Sequence, residues 1–415
     1  MDLSQSKQIC VIGAGQAGAQ AIFSLRQGGY EGAIKLIGEE PVPPYQRPPL
    51  SKAYMKGEFA EERLFFKPMA WYEDNNVDLI LSTRAEAIDR AARRISIENG
   101  GHVDYDALII ATGSRPRALP VKGADLAGVY DLRSLADVER IKPGMSHGRK
   151  MVIIGAGYIG LEAAAVARQM GLEVTVVEMA SRVLARVTSP VMSEFYTTEH
   201  TAKGVTILTD ARLSHLEGQN GQVTEAHLAD STVLPADIVL VGIGILPNEE
   251  LAVDAGIACN NGIIVDRDTH TNDPRVFAVG DCARRPLVHY GRQGRLESVH
   301  NAIEQGKLAA AAILGKPRPN EDCPWFWSDQ YDLKLQIAGL SEGYDEIVVR
   351  GDPKDRKFAA FYLKNGTLIS VDAVNAAPEF LASKKLIIAG AKVAPDRLND
   401  TSISMKEIAV TALNG

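Results

Sequence analysis

The sequence has few cysteines. Its 415 residues include only four, Cys10, Cys259, Cys282 and Cys323, and no two of them form a C-x-x-C pair. This usage excludes a disulfide-rich secreted scaffold and a zinc site with paired-cysteine spacing, so we expect no metal site. It is typical of a reducing cytoplasm, where we expect the protein to reside.

Long apolar runs and excess positive charge are also missing. No apolar run approaches the roughly 18 residues that a membrane span needs, and we expect neither a cleaved signal nor a membrane partner. The net charge of −7 argues against nucleic-acid binding by bulk electrostatics. A hydrophobic fraction of 46% is ordinary for a globular protein, and the length favours two or three domains.

The most informative stretch runs from residue 151 to residue 178. A β-branched run predicts a buried strand, Gly155, Gly157 and Gly160 follow with G-x-G-x-x-G spacing, and an Ala-rich helical run leads to a strand that ends at Glu178. The glycines permit a tight turn, close approach of a pyrophosphate and helix–strand packing, in that order. The helix N-terminus favours phosphate, and Glu178 can accept hydrogen bonds from a ribose. This context predicts a dinucleotide site.

A second copy of the pattern lies near the N-terminus. Gly13, Gly15 and Gly18 follow a predicted strand, and the next strand ends before Glu39 and Glu40. A Gly-rich turn without a ligand is the alternative, but the complete strand–turn–helix–strand context disfavours it. Two dinucleotide sites in one chain imply that one cofactor passes electrons to another.

A Pro-rich loop follows the first pattern. Four prolines between residues 43 and 49 exclude a helix interior before Leu50, and the loop then offers Arg47, Ser51 and Lys52. Such a stiff loop could hold a cation against a cofactor ring. A stiff surface loop with a solvated lysine is an equally good interpretation.

The remaining chain alternates strands and helices before its composition changes. Residues 77–88 read as one strand, Asp281 follows a buried strand, and a helix begins around Ser298 or Val299. Trp325 and Trp327 fall in a strand-like run, where the default role is core packing. The tail beyond it predicts a small antiparallel sheet, with a turn at residues 364–366, and terminal helices.

These motifs resemble the two-dinucleotide flavoprotein reductases with a glutathione-reductase-like fold. They resemble most closely the putidaredoxin-reductase-type family of NADH-dependent ferredoxin reductases, which serve bacterial oxygenases. The matching runs are RPPLSK at 47–52, IIATGSRPR at 109–117, VIIGAGYIGLE at 152–162, VFAVGDCAR at 276–284, ESVHNAIEQ at 297–305 and PWFWSDQY at 324–331. The last two are the most specific, although His300 stands where the family pattern has proline.

The resemblance implies an α/β fold of two Rossmann-like dinucleotide-binding domains and a C-terminal α+β domain. The implied boundaries are residues 1–113 and 248–322 for a discontinuous FAD-binding domain, 114–247 for an NAD-binding domain and 323–415 for the C-terminal domain.

The resemblance places FAD on the first pattern. Glu39 would hold the ribose, Lys52 would lie near the flavin ring, and Asp281 would bind the ribityl–phosphate region. Val299 would contact the isoalloxazine edge, and Trp327 would shield its face. The residues implied for FAD are Gly13, Gly15, Ala17, Gly18, Glu39, Arg47, Pro49, Lys52, Ala85, Ala111, Thr112, Gly113, Arg133, Gly280, Asp281, Ser298, Val299 and Trp327.

NADH is implied on the second pattern. The residues implied are Gly155, Gly157, Tyr158, Ile159, Gly160, Glu162, Glu178, Arg186, Gly242, Ile243 and Gly244. A carboxylate at Glu178 bonds a 2′-hydroxyl and repels a 2′-phosphate, which favours NADH over NADPH. Arg182 is close in sequence and weakens that preference.

Lys52 and Glu162 are the candidate catalytic residues. Aligning the two patterns puts uncharged Gln20 opposite Glu162, so nucleotide binding alone needs no acid at this position. We expect Lys52 to stabilise the anionic reduced flavin and Glu162 to hold Lys52. The alternative is that Glu162 only complements the helix N-terminus.

The cysteine pattern bears on where electrons leave. Disulfide reductases of the superfamily that the chain resembles pass electrons to a cysteine pair, and its NADH peroxidases and oxidases use a single cysteine in the region of the Pro-rich loop. This chain has neither, so electrons would pass to an external acceptor. We expect that acceptor to be an acidic 2Fe-2S ferredoxin serving a haem-thiolate monooxygenase or a ring-hydroxylating dioxygenase. Because both partners would be acidic, docking needs a local basic patch, with Trp327 near the electron exit. The candidate contacts are Lys67, Lys307, Lys334 and Lys406.

Other acceptors and another class of function stay open. A rubredoxin reductase or a monodehydroascorbate reductase would share the NADH half-reaction. A slow, redox-sensitive flavoprotein resembling apoptosis-inducing factor is the rival from a different class, although its basic surface is not expected at this net charge. We expect a monomer or weak dimer.

Overall fold

The computed structural model describes residues 3–414. The helices of this part are α1 (Gln16–Gln27), α2 (Met69–Asp74), α3 (Leu135–Ile141), α4 (Tyr158–Gln169), α5 (Pro190–Ala202), α6 (Glu250–Asp254), α7 (Val299–Ile313), α8 (Ala377–Ile388), α9 (Pro395–Asn399) and α10 (Met405–Asn414). Among the helices of residues 3–414, none has both the length and the apolar character needed to cross a bilayer.

The strands up to the middle of the chain are β1 (Gln8–Ile12), β2 (Ala33–Ile37), β3 (Val77–Ile80), β4 (Ala85–Asp89), β5 (Arg94–Ile97), β6 (Gly101–Asp104), β7 (Ala107–Ile110), β8 (Ser114–Pro116), β9 (Val129–Asp131), β10 (Lys150–Ile154), β11 (Glu173–Val177), β12 (Val205–Leu208), β13 (Leu213–Gln219), β14 (Gln222–Leu228), β15 (Val233–Pro235) and β16 (Ile238–Val241). The later strands are β17 (Ile245–Pro247), β18 (Ile263–Ile264), β19 (Val276–Ala278), β20 (Ala283–Leu287), β21 (Arg292–Gly294), β22 (Trp325–Gln330), β23 (Leu333–Gly339), β24 (Glu346–Arg350), β25 (Phe358–Lys364) and β26 (Thr367–Val374).

The elements group into two compact units. The first unit comprises Met1–Gln46, Ala60–Arg115 and Ile245–Glu321, and the second comprises Arg47–Phe59, Pro116–Gly244 and Asp322–Gly415. The second unit therefore contains residues 116–244 of the predicted NAD-binding domain together with the predicted C-terminal domain. The division into three domains stays a prediction.

The first unit is built on a parallel sheet in the order β19-β7-β1-β2-β3. The apolar side chains of α1 and α7 join its core, and β7 is buried along its whole length. Two small three-stranded sheets, β4-β5-β6 and β18-β20-β21, also belong to the unit. The prediction of one strand over residues 77–88 is wrong: Ser82 has a left-handed φ of +49°, and the run divides into β3 and β4, which belong to different sheets.

The second unit contains a parallel sheet in the order β12-β11-β10-β16-β9 and an antiparallel sheet in the order β22-β23-β26-β25-β24. The antiparallel sheet packs with α8, α9 and α10 around a separate core. Asn365 and Gly366, with φ of +51° and +76°, form the predicted turn between β25 and β26. The predicted fold class, two Rossmann-like sheets with a C-terminal α+β region, is confirmed.

Candidate functional site

The turn between β1 and α1, residues 13–18, forms a backbone cradle that we call the first cradle. Gly13 has φ of +113°, and a Cβ there would lie 2.2 Å from the Ala111 carbonyl oxygen, so the ends of β1 and β7 touch. A Cβ on Gly18 would lie 2.2 Å from the Gly13 oxygen, which brings the helix onto the strand. A Cβ on Gly15 would meet no described heavy atom within 4 Å. The backbone at Gly15 therefore faces open space, as a pyrophosphate requires.

The turn between β10 and α4, residues 155–160, repeats this arrangement, and we call it the second cradle. Gly155 has φ of +101°, and a Cβ there would lie 2.4 Å from the Gly242 carbonyl oxygen. A Cβ on Gly160 would lie 2.3 Å from the Gly155 oxygen, and one on Gly157 would again meet no described heavy atom within 4 Å. Both cradles thus have the shape that a dinucleotide pyrophosphate needs.

The acidic residues that follow the two cradles are placed differently. Glu178 accepts hydrogen bonds from the backbone N–H groups of Ala156 at 2.7 Å and Ala180 at 2.8 Å, so its carboxylate lies against the second cradle. Glu39 is exposed and lies 3.4 Å from Arg84. A ribose contact by either residue stays a prediction.

Several predicted FAD residues gather at the carboxyl ends of β1, β7 and β19. A Cβ on Gly280 would lie 2.9 Å from the Ala17 Cβ. Ser114 Oγ donates to Asp281 Oδ2 at 2.8 Å, and Thr112 Oγ1 donates to the Asn248 carbonyl at 2.6 Å. These residues meet where parallel sheets bind ligands, at the point where the strand order reverses around β1.

Two other predicted FAD positions of the first unit lie at element ends. The prediction that a helix begins near residue 298 is confirmed: Ser298 caps α7 by accepting from the Asn301 N–H at 3.1 Å, and Val299 is the first helical residue. Ala85 is the first residue of β4 in the small antiparallel sheet.

The Pro-rich loop enters the second unit as a short 3₁₀ helix, Pro48–Ser51, with both prolines at its start. Arg47 Nη1 donates to the Arg133 carbonyl at 2.7 Å, which brings these two predicted residues together. Lys52 directly follows the helix, and its Nζ lies 2.6 Å from Glu162 Oε2. Pairing with Glu162 makes the interpretation of Lys52 as a solvated surface lysine wrong.

Glu162 is a buried carboxylate with partners on both oxygens. Its Oε2 accepts from Ser51 Oγ and Lys52 Nζ, each at 2.6 Å, and its Oε1 accepts from Ser328 Oγ at 2.7 Å. The residue is 4% exposed, which makes these partners essential for an ionised group. Glu162 is the fifth residue of α4 and lies outside the first turn, so complementing the helix N-terminus does not explain it.

A chain of buried hydrogen bonds continues from Glu162 along β22. Gln330 Nε2 donates to Ser328 Oγ at 3.1 Å, and Gln330 Oε1 lies 2.8 Å from His200 Nε2. Because an amide oxygen only accepts, His200 carries its proton on Nε2, and its Nδ1 accepts from Tyr331 O–H at 3.3 Å. Burial lowers the pKa of His200, which favours this neutral form. Every donor in the chain points toward Glu162.

Sequence reasoning missed this series of hydrogen bonds. The alternation of β22 is the signal that could have found it, because Phe326, Ser328 and Gln330 share one face of the strand. The opposite face carries Trp325 and Trp327, whose ring centroids are 5.5 Å apart. Trp325 packs against the C-terminal core, as predicted, and Trp327 is half-buried.

Tyr158, the first residue of α4, packs its side chain against Phe326 of β22. Its ring centroid lies 5.0 Å from that of Phe326, and its hydroxyl is buried without a hydrogen-bond partner among residues 3–414. Burial raises the pKa of Tyr158 well above its usual value. A predicted nucleotide contact at this residue would therefore come from its backbone.

A buried acid lies near Tyr158. Asp372 accepts from Tyr362 O–H at 2.5 Å and from the Thr188 hydroxyl, and the Tyr362 hydroxyl lies 2.9 Å from Ser189 Oγ. Asp372 is 1% exposed, and this burial raises its pKa to about 6. The group joins the start of α5 to β25 and β26.

The arginines near the second cradle have different surroundings. A Cβ on Gly244, whose φ is +103°, would lie 3.5 Å from Arg186 Nη2, so the structure brings these two predicted NADH residues together. Arg186 is exposed, and so is Ile159. Arg182 instead donates to Ser193 Oγ at 2.6 Å and to the Ala185 carbonyl at 3.0 Å.

None of the four cysteines, all of which lie within residues 3–414, forms a disulfide. Burial raises the pKa of Cys10 to about 12 and that of Cys259 to about 11, and it also raises the pKa of Cys282. Cys323 is fully buried. Because the thiolate is the reactive form, the raised pKa values make Cys10, Cys259 and Cys282 poor redox groups.

The four lysines predicted to contact a partner are not equivalent. Lys67 is half-buried, with its Nζ 5.8 Å from the Phe23 ring centroid and 5.7 Å from that of Trp71. Lys307, Lys334 and Lys406 are exposed. Their roles stay predictions.

Two family models match the chain. One, described as pyridine nucleotide-disulphide oxidoreductase, matches residues 7–306, and the other, described as reductase C-terminal, matches residues 325–409.

Individual relatives match over nearly the whole length. A probable ferredoxin reductase from Castellaniella defragrans is 42% identical over 409 residues, covering 98% of this chain and 100% of that protein. The putidaredoxin reductase of Pseudomonas putida is 42% identical over 415 residues, covering 99% of this chain and 98% of that protein. A crystal structure of a covalent putidaredoxin reductase–putidaredoxin complex matches with a TM-score of 0.96 and 42% identity, covering 98% of this chain and 99% of that one.

Proposed function

The chain belongs to the pyridine nucleotide-disulphide oxidoreductase family, among its ferredoxin reductases, and from this we propose that it passes electrons from NADH through FAD to a 2Fe-2S ferredoxin. Enzymes of this family use FAD and NAD(P)H, and the two cradles fit two dinucleotides. When bound, FAD accepts a hydride and releases electrons singly, which suits a two-electron donor and a one-electron acceptor. The ferredoxin would serve a haem-thiolate monooxygenase or a ring-hydroxylating dioxygenase.

The state of the cysteines is the observation that carries this proposal. Relatives that reduce disulfides within this fold pass electrons to a cysteine pair, whereas the four cysteines of this chain form no disulfide and burial raises the pKa of Cys10, Cys259 and Cys282. Electrons that enter on NADH would therefore leave to an external acceptor rather than through a protein disulfide.

The test is reduction of purified acceptors by the FAD-loaded protein under stopped flow with NADH as donor. A 2Fe-2S ferredoxin should be reduced faster than a rubredoxin, monodehydroascorbate or glutathione disulfide. Faster reduction of rubredoxin or monodehydroascorbate would replace the proposed acceptor. Slow reduction of every acceptor, with a long-lived reduced protein, would favour the redox-sensitive binding protein. Failure to retain FAD after reconstitution would overturn the whole scheme.

Lys52 would act by placing positive charge near the reduced flavin, and Glu162 would hold it there. The support is the 2.6 Å contact between Lys52 Nζ and Glu162 Oε2, together with the two serines that fix the same carboxylate. Lys52→Ala should lower the flavin midpoint potential and slow hydride transfer, whereas Lys52→Arg should retain part of both. An unchanged potential in Lys52→Ala would contradict this role.

NADH is the proposed donor in preference to NADPH. Glu178 presents its carboxylate beside the second cradle, and the guanidinium of Arg182 is bound to Ser193 and Ala185 rather than free to meet a 2′-phosphate. Comparable kcat/KM values for NADH and NADPH would contradict this preference. Glu178→Gln should narrow the difference between them by weakening the repulsion of the phosphate.

Docking of an acidic ferredoxin would use exposed lysines. Lys307, Lys334 and Lys406 are the better candidates, because Lys67 already lies over two aromatic rings. Lys307→Glu should raise the apparent KM for ferredoxin and reduce its salt dependence, while Lys67→Glu should change the KM less. An unchanged salt profile in Lys307→Glu would remove Lys307 from the contact surface.

A further inference from the structure

The outer face of the β13–β14 hairpin carries four side chains able to bind a metal. β13 and β14 pair antiparallel, with His215 opposite His227 and Glu217 opposite Glu225. Leu216 and Ala226, at the alternate positions, are buried in the core beneath the hairpin. Alternation along the strands therefore puts two imidazoles and two carboxylates together on the solvent side.

The distances on this face are close to those of a coordination sphere. His215 Nε2 lies 3.4 Å from Glu217 Oε1, and His227 Nε2 lies 3.6 Å from Glu217 Oε2. One ligand atom from each of the three residues lies within 4.8 Å of the others, and the imidazole rings stack with centroids 4.5 Å apart. A tetrahedral ion with bonds of about 2.0–2.1 Å separates its ligand atoms by about 3.3 Å. The two distances from the imidazole nitrogens to the Glu217 oxygens, 3.4 and 3.6 Å, are close to this value.

The neighbours of these ligands also suit a metal. His215 Nδ1 lies 3.2 Å from Ser214 Oγ, and a proton donated there leaves the Nε2 lone pair available. Glu225 Oε2 lies 2.9 Å from His227 Nε2, so Glu225 is placed to serve as a fourth ligand to an ion bound at that nitrogen. Like charges directly across a strand pair repel, and a cation between Glu217 and Glu225 removes this cost.

We propose that His215, Glu217 and His227, with Glu225 beside them, bind one divalent transition-metal ion of the Zn²⁺ class. Mixed imidazole and carboxylate ligands suit Zn²⁺, Co²⁺ and Ni²⁺, whereas Mg²⁺ and Ca²⁺ prefer oxygen ligands alone. The half-exposed position leaves coordination places for water. The sequence-based expectation of no metal site considered only cysteine spacing, and the two histidines meet only through the pairing of the hairpin.

The test is calorimetric titration of the chelator-treated, FAD-loaded full chain with Zn²⁺ alone, with Co²⁺ as a spectroscopic probe. One saturable site per chain and a visible Co²⁺ absorption band are expected. His215→Gln and His227→Gln should each weaken Zn²⁺ binding at least about tenfold. His102→Gln, at an exposed histidine of β6, is the matched control and should leave the affinity unchanged.

Three results would overturn the proposal. They are the absence of saturable Zn²⁺ binding, an unchanged affinity in a His215→Gln/His227→Gln double variant, and equally tight binding of Mg²⁺. All four side chains lie on an outer face, so the variants should fold, and flavin absorbance with circular dichroism checks that they do. Should the histidine variants fail this check, Glu217→Gln replaces them, and it should weaken binding several-fold.

Discussion

The first and second cradles have the same backbone and differ in what their helices carry. In both, one glycine touches the end of a neighbouring strand, one faces open space and one brings the helix onto its strand. At the fifth position of α1, Gln20 donates to Ser24 Oγ of its own helix at 3.1 Å. At the fifth position of α4, Glu162 binds a lysine and two serines from other elements. Dinucleotide binding explains the shared backbone but not the acid.

The cradles differ a second time after the next strand. The pairing of Ile12 with Ile37 and of Ile154 with Val177 makes Gly38 the counterpart of Glu178. A Cβ on Gly38 would lie 2.8 Å from the Ala14 Cβ, so this position in the first cradle is restricted to glycine. The acid of the first cradle, Glu39, follows one residue later and is exposed. The two predicted ribose contacts would therefore not be copies of each other.

Matched alanine substitutions at Gly15 and Gly157, the glycines that face open space, should have the largest effect and should distinguish the cofactors bound by the two cradles. Gly15→Ala should lose FAD, whereas Gly157→Ala should retain FAD and bind NADH roughly tenfold to a hundredfold more weakly, since a methyl group blocks backbone hydrogen bonds worth about 1–3 kcal/mol. FAD retention is measured by the ratio of flavin to protein absorbance. Binding at the second cradle is measured by the dissociation constant of NAD⁺, which shares the pyrophosphate of NADH and should weaken by the same factor. Loss of FAD in Gly157→Ala would contradict the assignment of one cofactor to each cradle.

Removing Lys52 should have the next largest effect. Lys52→Ala leaves the buried carboxylate of Glu162 without its cation, which costs about 3–5 kcal/mol, toward the lower end because the lysine side chain is 20% exposed. The Lys52→Ala/Glu162→Gln double variant should regain part of this loss. Urea unfolding of the parent chain, the two single variants and the double variant measures the change in the free energy of unfolding. Gln20→Ala, at the matching position of α1, is the control. Additive losses would show that the two residues do not interact.

Asp372, near the second cradle, predicts a pH effect on stability. Its folded pKa of about 6 exceeds its ordinary value of about 4, so the folded chain holds a proton that the unfolded chain releases. Stability from this group is present below about pH 4 and is lost, by about 3 kcal/mol, as the pH rises through about 6. Urea unfolding from pH 4 to pH 7 should show a smaller loss in Asp372→Asn than in the parent chain. If the free energy of unfolding changed with pH in the same way in Asp372→Asn and in the parent chain, the pKa of Asp372 would not be raised.

The smallest expected effect comes from the hydrogen-bond chain behind Glu162. Ser328→Ala removes a donor to the carboxylate and should cost about 1–3 kcal/mol. His200→Gln lies two bonds farther away and should cost less, while Ser24→Ala, which removes the partner of Gln20, should cost less still. Hydride-transfer rates should follow the same order. A larger rate effect from His200→Gln than from Ser328→Ala would contradict a chain that acts through Glu162.

Locally determined features were predictable from the sequence, and features that depend on packing between elements were not. The glycine spacing predicts each cradle because a tight turn depends only on a few consecutive residues. Ser298 predicts the start of α7 because a helix cap likewise depends only on residues close in sequence. The resemblance supplied Lys52 and Glu162, but Ser328 and His200 depend on which face of β22 packs against α4 and α5. The break between β3 and β4 at Ser82 was not predicted, because the strand-like pattern of residues 77–88 continues on both sides of this left-handed residue.

The alternation of β22 limits how this region can be re-engineered. The odd-numbered residues Trp325 and Trp327 lie on one face of the strand and contact each other. The even-numbered residues Phe326, Ser328 and Gln330 lie on the other face and contact α4 and α5. A chimera that grafts the carboxyl-terminal portion of another reductase at residue 323 must preserve this odd–even phase, because inserting or deleting a single amino acid would turn an indole toward the carboxylate. Junctions that shift the strand by two positions keep the phase but exchange partners.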